Sequence, residues 1–169
     1  MKRVAEVLNE MLEGGVIHDY AVFGAVAQMR YTEAVVTLDA DVLVAVPEPE
    51  ALDVLSPLYA FCQERGFGPE GEAVRIGDWP VQFIPVFSAL TEAAMREAET
   101  ADLEGTPLRV ARADYLACIA LSVGRAKDFA RILALRESGA VTDDEISALV
   151  ERYELAAEWQ AFGERFDAT

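Results

Sequence analysis

The sequence predicts an α+β protein: a mixed sheet with flanking helices, followed by a C-terminal helical bundle. Two observations carry this. Short apolar runs bounded by Gly and Pro alternate with helical-period segments up to about residue 108, and from Asp114 onward the apolar spacing is helical throughout. At 169 residues, 53% hydrophobic and 26% charged, the chain has the apolar content for a real core. The division is read as residues 1–108, an α/β unit, and 109–169, a helical region packed on it, with a soft boundary near 105–113.

Taken in order, Val4, Val7, Leu8, Met11 and Leu12 share one face of a helix over 3–13, which Gly14-Gly15 ends. Tyr20 to Phe23 reads as a short buried strand that Gly24 breaks, and Ala25 to Met29 as one or two helical turns. Asp41 to Val46 is a strand stopped by Pro47. Residues 48–65 return to helical period, with Leu55, Leu58, Tyr59 and Cys62 on a face. Gly66-Phe67-Gly68-Pro69-Glu70-Gly71 matches a dinucleotide-loop pattern by letter. It follows a helix rather than a strand and contains a proline, so it is read as a cap and turn.

Residues 73–76 and 81–84 form a hairpin around the four-residue connection Gly77 to Pro80. A polar helix covers 88–99, and Leu108 to Val110 is a last strand. Four helices follow at about 114–122, 125–137, 143–153 and 155–166, the third opened by a Thr142/Glu145 capping box.

Fourteen basic against 30 acidic residues give a formal charge of −16, which argues against nucleic acid held by this chain alone. Small molecules, metal ions and basic protein partners fit that field. No apolar run reaches the roughly 18 residues of a membrane span, and the start carries no secretory block. The expectation is a soluble, cytoplasmic protein with no membrane association. Cys62 and Cys118 sit in apolar helical patterns and are read as reduced core thiols. His18, the lone histidine, is read as a loop or packing residue. Trp79 and Trp159 are read as core or interface residues, and Phe129, Ile132, Leu133 and Leu135 as helix core. No Ser-His hydrolase, zinc-protease or P-loop motif is present.

One constellation carries chemistry. Asp39 and Asp41, at i and i+2 where a strand begins, lie on one face and can share a divalent cation. Mg²⁺ takes hard oxygen ligands and keeps waters and substrate phosphates in its shell. Farther along, Arg125, Lys127, Arg131 and Arg136 crowd one helix against a single acid, Asp128. They read either as a triphosphate-facing helix or as a surface helix paired with acidic neighbours. Asp128 is expected to pair with Arg131 or Arg125, three positions away on either side.

Strand, Gly24-Ala25, short helix and then Asp-x-Asp on the next strand, with thirteen residues between Ala25 and Asp39, resembles the nucleotidyltransferase superfamily. Asp114 to Ala120 followed by Arg125-Ala126-Lys127-Asp128 is similar to the helical part of its type IV abortive-infection toxin group. The resemblance implies a nucleoside triphosphate as substrate, Mg²⁺ as cofactor, and a small-molecule or protein acceptor hydroxyl. A toxin–antitoxin setting with a partner protein follows from the narrower likeness. Asp39 and Asp41 would be catalytic metal ligands, Gly24 and Ala25 would admit the phosphates, and Arg125 and Lys127 would offset phosphate charge. The chain departs from the pattern at several points. The third carboxylate position reads Gln82, which could lend a metal an amide oxygen but no charge. The tail Lys is Ala120, an acid three after Asp128 is Arg131, and an Arg before the first Asp is Val35. These departures raise a rival reading, a lapsed fold serving as a protein-binding or regulatory module.

Overall fold

The computed structural model describes residues 1–50 and 52–166. Seven strands form one mixed sheet among the described residues: β1 (Asp19–Phe23), β2 (Ala40–Ala45), β3 (Pro69–Glu70), β4 (Ala73–Ile76), β5 (Trp79–Pro85), β6 (Glu99–Leu103) and β7 (Thr106–Val110), in the order β3-β4-β5-β2-β1-β7-β6. β1 and β2 pair antiparallel, with Phe23 opposite Asp41. β2 and β5 run parallel, with Asp41 opposite Gln82, and β7 lies parallel to β1.

The helices are α1 (Lys2–Glu13), α2 (Gly24–Gln28), α3 (Ser56–Glu64), α4 (Ala89–Arg96), α5 (Ala113–Val123), α6 (Ala126–Glu137), α7 (Asp143–Arg152) and α8 (Ala156–Phe166). α1 buries Val4, Ala5, Val7, Leu8 and Met11 and packs against β7. Its Asn9 donates to the Pro107 carbonyl at 2.8 Å and accepts from the Tyr20 hydroxyl at 2.9 Å, pinning the helix, β1 and β7 together. α5 is buried along most of its length and carries α6, α7 and α8. One apolar cluster runs from Val4 through the sheet to Phe162, so the C-terminal helices share the core of the sheet rather than forming their own. The architecture is the mixed sheet with flanking helices and C-terminal helical region that the sequence predicts.

Four local expectations need correction. The helix expected over 48–65 starts only at Ser56. Pro49 biases its preceding residue away from helix, Pro57 sits in the first turn of α3, where a missing N–H costs nothing, and the Asp53 carboxylate accepts from the Ser56 amide at 3.0 Å; residue 51 lies outside the described residues. The glycine-rich turn at 66–71 contains β3, which pairs with β4 as an edge strand. The hairpin connection is two residues, Gly77-Asp78, because pairing continues to Ile76 opposite Trp79 and Gly77 supplies φ +59°. The helix expected over 88–99 ends at Arg96 and buries Leu90, Ala93, Ala94 and Met95, and Glu99 then opens β6.

Smaller expectations match. Thr142 caps α7 reciprocally with Glu145. Cys62 and Cys118 are free and buried, and burial pushes their thiols up to about 11 and about 12. His18 is exposed at the entry to β1.

Candidate functional site

The site is built where β1 ends and β2 begins. At the end of β1 the chain enters α2 through Gly24, whose φ is +66°. A side chain there would meet Asp41: an added Cβ would overlap the Asp41 Oδ2 and lie 3.2 Å from its Cγ. Only glycine allows both the left-handed backbone and this approach. Ala25 follows in the first turn of α2, half-buried.

Asp39 stands just before β2 and Asp41 is its second residue, both half-buried. Burial first, and then the neighbouring Asp39 carboxylate, raise the Asp41 carboxyl above its ordinary range. Arg131, Lys127 and Arg125 pull the other way. The structure therefore brings the sequence-predicted residues to one place. Gly24, Ala25, Asp39 and Asp41 meet at the β1–β2 end, Gln82 stands beside Asp41 in register, and Arg125 and Lys127 reach Asp41 electrostatically from α6.

The basic residues of α6 divide. Arg131, with only 14% of its side chain exposed, donates from Nε to the Gln28 Oε1 at 3.1 Å and from a terminal nitrogen to Asp128 at 3.3 Å. Gln28 is itself buried at the end of α2, so this contact locks α6 onto the helix that begins at Gly24. Asp128 also accepts from the Arg125 Nε at 2.6 Å. Asp128 thus holds both basic neighbours at once. Arg136 turns away, pairing with Asp143 at 2.8 Å and lying over the Trp159 and Phe162 rings.

The expected pairing of Asp128 with its neighbours three positions away is met by both Arg125 and Arg131, whereas Gln28, and its contact with Arg131, is a feature that reasoning from the sequence did not single out. No local signal marks that contact, because it joins residues 103 positions apart. Ala120, at the position of the missing tail Lys, is buried in α5. The Asp114 carboxylate pairs with Arg112 at 2.8 Å.

Two clefts lie on the elements that carry the site, of which the second is lined by Asp39 itself. One, of about 470 Å³, runs between the segment after α2 and α6, lined by Gln28, Thr32, Glu33, Val35, Glu137 and Ser138. The other, of about 290 Å³, opens on the β5 side and is lined by Leu38, Asp39, Glu70, Glu72, Ala73 and Gln82. Among the described residues, no three His, Cys, Asp or Glu side chains gather closely enough to hold a metal unaided. The oxygen donors at the site are Asp39, Asp41 and the Gln82 amide.

No protein-family model matches the chain, and a search of curated proteins finds no sequence match. Solved structures do match in shape. The solution structure of the antibiotic-resistance factor ANT(2'')-Ia has a TM-score of 0.53 at 14% identity, covering 96% of this chain and 94% of that one. The crystal structure of ANT(2'')-Ia in complex with adenylyl-2''-tobramycin has a TM-score of 0.50 at 13% identity, covering 98% of each chain. An antigenic nucleotidyltransferase-like protein from Paracoccidioides brasiliensis has a TM-score of 0.55 at 15% identity, with 95% and 92% covered. The chain has a nucleotidyltransferase-like fold, shared over nearly its whole length.

Proposed function

We propose that the protein is a nucleotidyltransferase that takes a nucleoside triphosphate with Mg²⁺ and transfers the nucleotidyl group to a hydroxyl of a small acceptor. One juxtaposition carries this: the Asp39/Asp41 pair, pressed against a positive-φ glycine and faced by Arg125, Lys127 and Arg131 from α6. Two carboxylates held side by side, one of them raised by burial and by the other, gain from a shared cation. An all-oxygen donor set suits a hard cation that retains water and phosphate ligands. Asp39 and Asp41 would hold Mg²⁺, with the Gln82 amide oxygen as a neutral third donor. When bound, Mg²⁺ neutralises charge on the phosphates around the reacting phosphorus.

The chain's own residues supply the rest. Gly24 and Ala25 let backbone amides approach the phosphates. Arg125, Lys127 and Arg131 offset the triphosphate charge. Lys127 sits in the first turn of α6, where the helix dipole disfavours a cation, a local conflict that an anionic ligand relieves. The near-complete two-way overlap with a protein crystallised with adenylyl-2''-tobramycin supports a small acceptor over a macromolecular one. In this reading residues 1–108 carry the site's carboxylates and glycine turn, and 109–169 is the helical region packed on them. The setting is cytoplasmic, and free thiols such as Cys62 and Cys118 fit a reducing compartment.

The test is transfer of α-labelled nucleotide, with and without Mg²⁺, to acceptors that include tobramycin. Mg²⁺-dependent labelling that disappears in Asp41→Asn supports the proposal, and labelling unaffected by that change overturns it. A second reading is favoured by Gln82, a neutral side chain in register with Asp41. In it the fold binds nucleotide without transfer and serves as a regulatory or protein-binding module, including as one half of a toxin–antitoxin pair. Tight nucleotide binding with no transfer to any acceptor selects that reading.

A further inference from the structure

Transfer needs a group that removes the acceptor's proton, and Gln82 cannot do so. The sheet register shows where a carboxylate can replace it. Paired residues of neighbouring strands project to the same face. Asp41 pairs with Gln82, the register that sets Val74 opposite Val81 carries Ala73 to Gln82, and Ala73 pairs with Glu70. Asp41, Gln82, Ala73 and Glu70 therefore form one row across four strands. Ala73 is the small member, and the cleft of about 290 Å³ opens over it. Asp39 and Gln82 line one side of that cleft, and Glu70 and Glu72 line the other.

The two glutamates are not equivalent. Glu70 is engaged by both the Nε and a terminal nitrogen of Arg75, and this pairing holds its carboxyl below the ordinary range. Glu72, in the β3–β4 turn, has no hydrogen bond or ion pair among the described residues. The Gly24 turn follows β1, and Arg131 of α6 bonds Gln28 in the helix that this turn opens, so both lie on the β1 side of Asp41, whereas this cleft lies on its β5 side. Phosphates on the first side leave the second to the attacking hydroxyl, the arrangement an in-line displacement requires.

We infer that Glu72 is the catalytic base of this site, supplying from the β3–β4 turn the carboxylate that Gln82 lacks. The inference rests on the nucleotidyltransferase reading. The acceptor O–H gives its proton to a Glu72 carboxylate oxygen, and the acceptor oxygen bonds to the α-phosphorus. The bond from that phosphorus to the bridging oxygen breaks, and pyrophosphate leaves with its electron pair.

Water serves as acceptor in the test, because it removes any role of Glu72 in binding a larger acceptor. Each of the four ribonucleoside triphosphates is incubated with Mg²⁺ and the monophosphate is measured, alongside calorimetric binding of the same nucleotides. Glu72→Gln is expected to lower kcat about 100-fold while KM stays within about twofold, and Glu72→Asp to recover part of the loss. In Gln82→Asp a carboxylate returns to the sheet, so adding Glu72→Gln is expected to cost less than about threefold. Wild-type kcat in Glu72→Gln overturns the inference, as does a full loss on adding Glu72→Gln to Gln82→Asp. So does a wild type that binds Mg²⁺ and nucleotide but makes no monophosphate. Failure of the wild type to bind any of the four would instead overturn the nucleotidyltransferase reading, and the inference with it.

Discussion

Asp41 carries a cost in stability that a single substitution exposes. Its carboxyl is raised in the folded state, by burial and by Asp39. Folding therefore favours the protonated form, and stability falls as pH rises from the ordinary carboxyl range through the raised value. Asp41→Asn is expected to raise Tm by a few degrees at neutral pH. That gain disappears in acid, where Asp41 is protonated in both states. Thermal melts at both pH values check this, and a lower Tm at neutral pH would show that the α6 cations outweigh burial. Gly24 is the complementary case. Gly24→Ala places an L side chain at positive φ, costing at least about 1 kcal/mol, and it displaces Asp41. Lower stability together with lost Mg²⁺-dependent nucleotide binding is the expected outcome. These two residues and Asp39 were legible because their spacing is local. The pairing of Arg131 with Asp128 was legible for the same reason, but its bond to Gln28 was not, because that depends on α6 docking against a residue 103 positions away in sequence.

Among the elements, α6 decides whether the cations face the carboxylates. Its anchor is Asp128, whose side chain is 1% exposed and which holds Arg125 and Arg131 together. Removing one member of such a buried pair leaves the other uncompensated. Asp128→Ala is expected to cost about 3 kcal/mol in denaturant unfolding and to weaken nucleotide binding. Lys127→Met, at an exposed position with no such anchor, should weaken binding with little change in stability. Equal losses from the two variants would contradict this division. The strongly periodic elements α1, β2 and α5–α8 were readable from apolar spacing. β6 was not, because Glu99-Thr100-Ala101-Asp102-Leu103 is a polar edge strand whose pairing with β7 is set by the turn at Glu104-Gly105. The late start of α3 escaped apolar spacing because prolines and the Asp53 contact, rather than hydrophobicity, set that boundary.

Across the whole molecule, a charge of −16 surrounds one small basic cluster. Long-range repulsion opposes a polyanion, whereas in the proposed function a compact triphosphate would need only the local field of that cluster. RNA and duplex DNA are expected to bind no tighter than about 10⁻⁴ M at physiological salt. A salt-series titration checks this, and sub-micromolar binding that weakens steeply with salt would point to a nucleic-acid acceptor. The fold class was legible because a strand-rich half and a helical half differ in period. The helical region was expected to pack on the α/β unit, but that the two share one apolar cluster was not legible, because composition does not show which residues α5 buries against the elements of the sheet half.

The most direct test of the central claim is calorimetric titration of each of the four ribonucleoside triphosphates into wild type and Asp41→Asn, with Mg²⁺ and with EDTA. The account predicts Mg²⁺-dependent binding of at least one nucleotide to wild type, weakened tenfold or more in Asp41→Asn, about 1.4 kcal/mol, and lost in EDTA. Binding of equal strength to both proteins, or binding indifferent to EDTA, would contradict it.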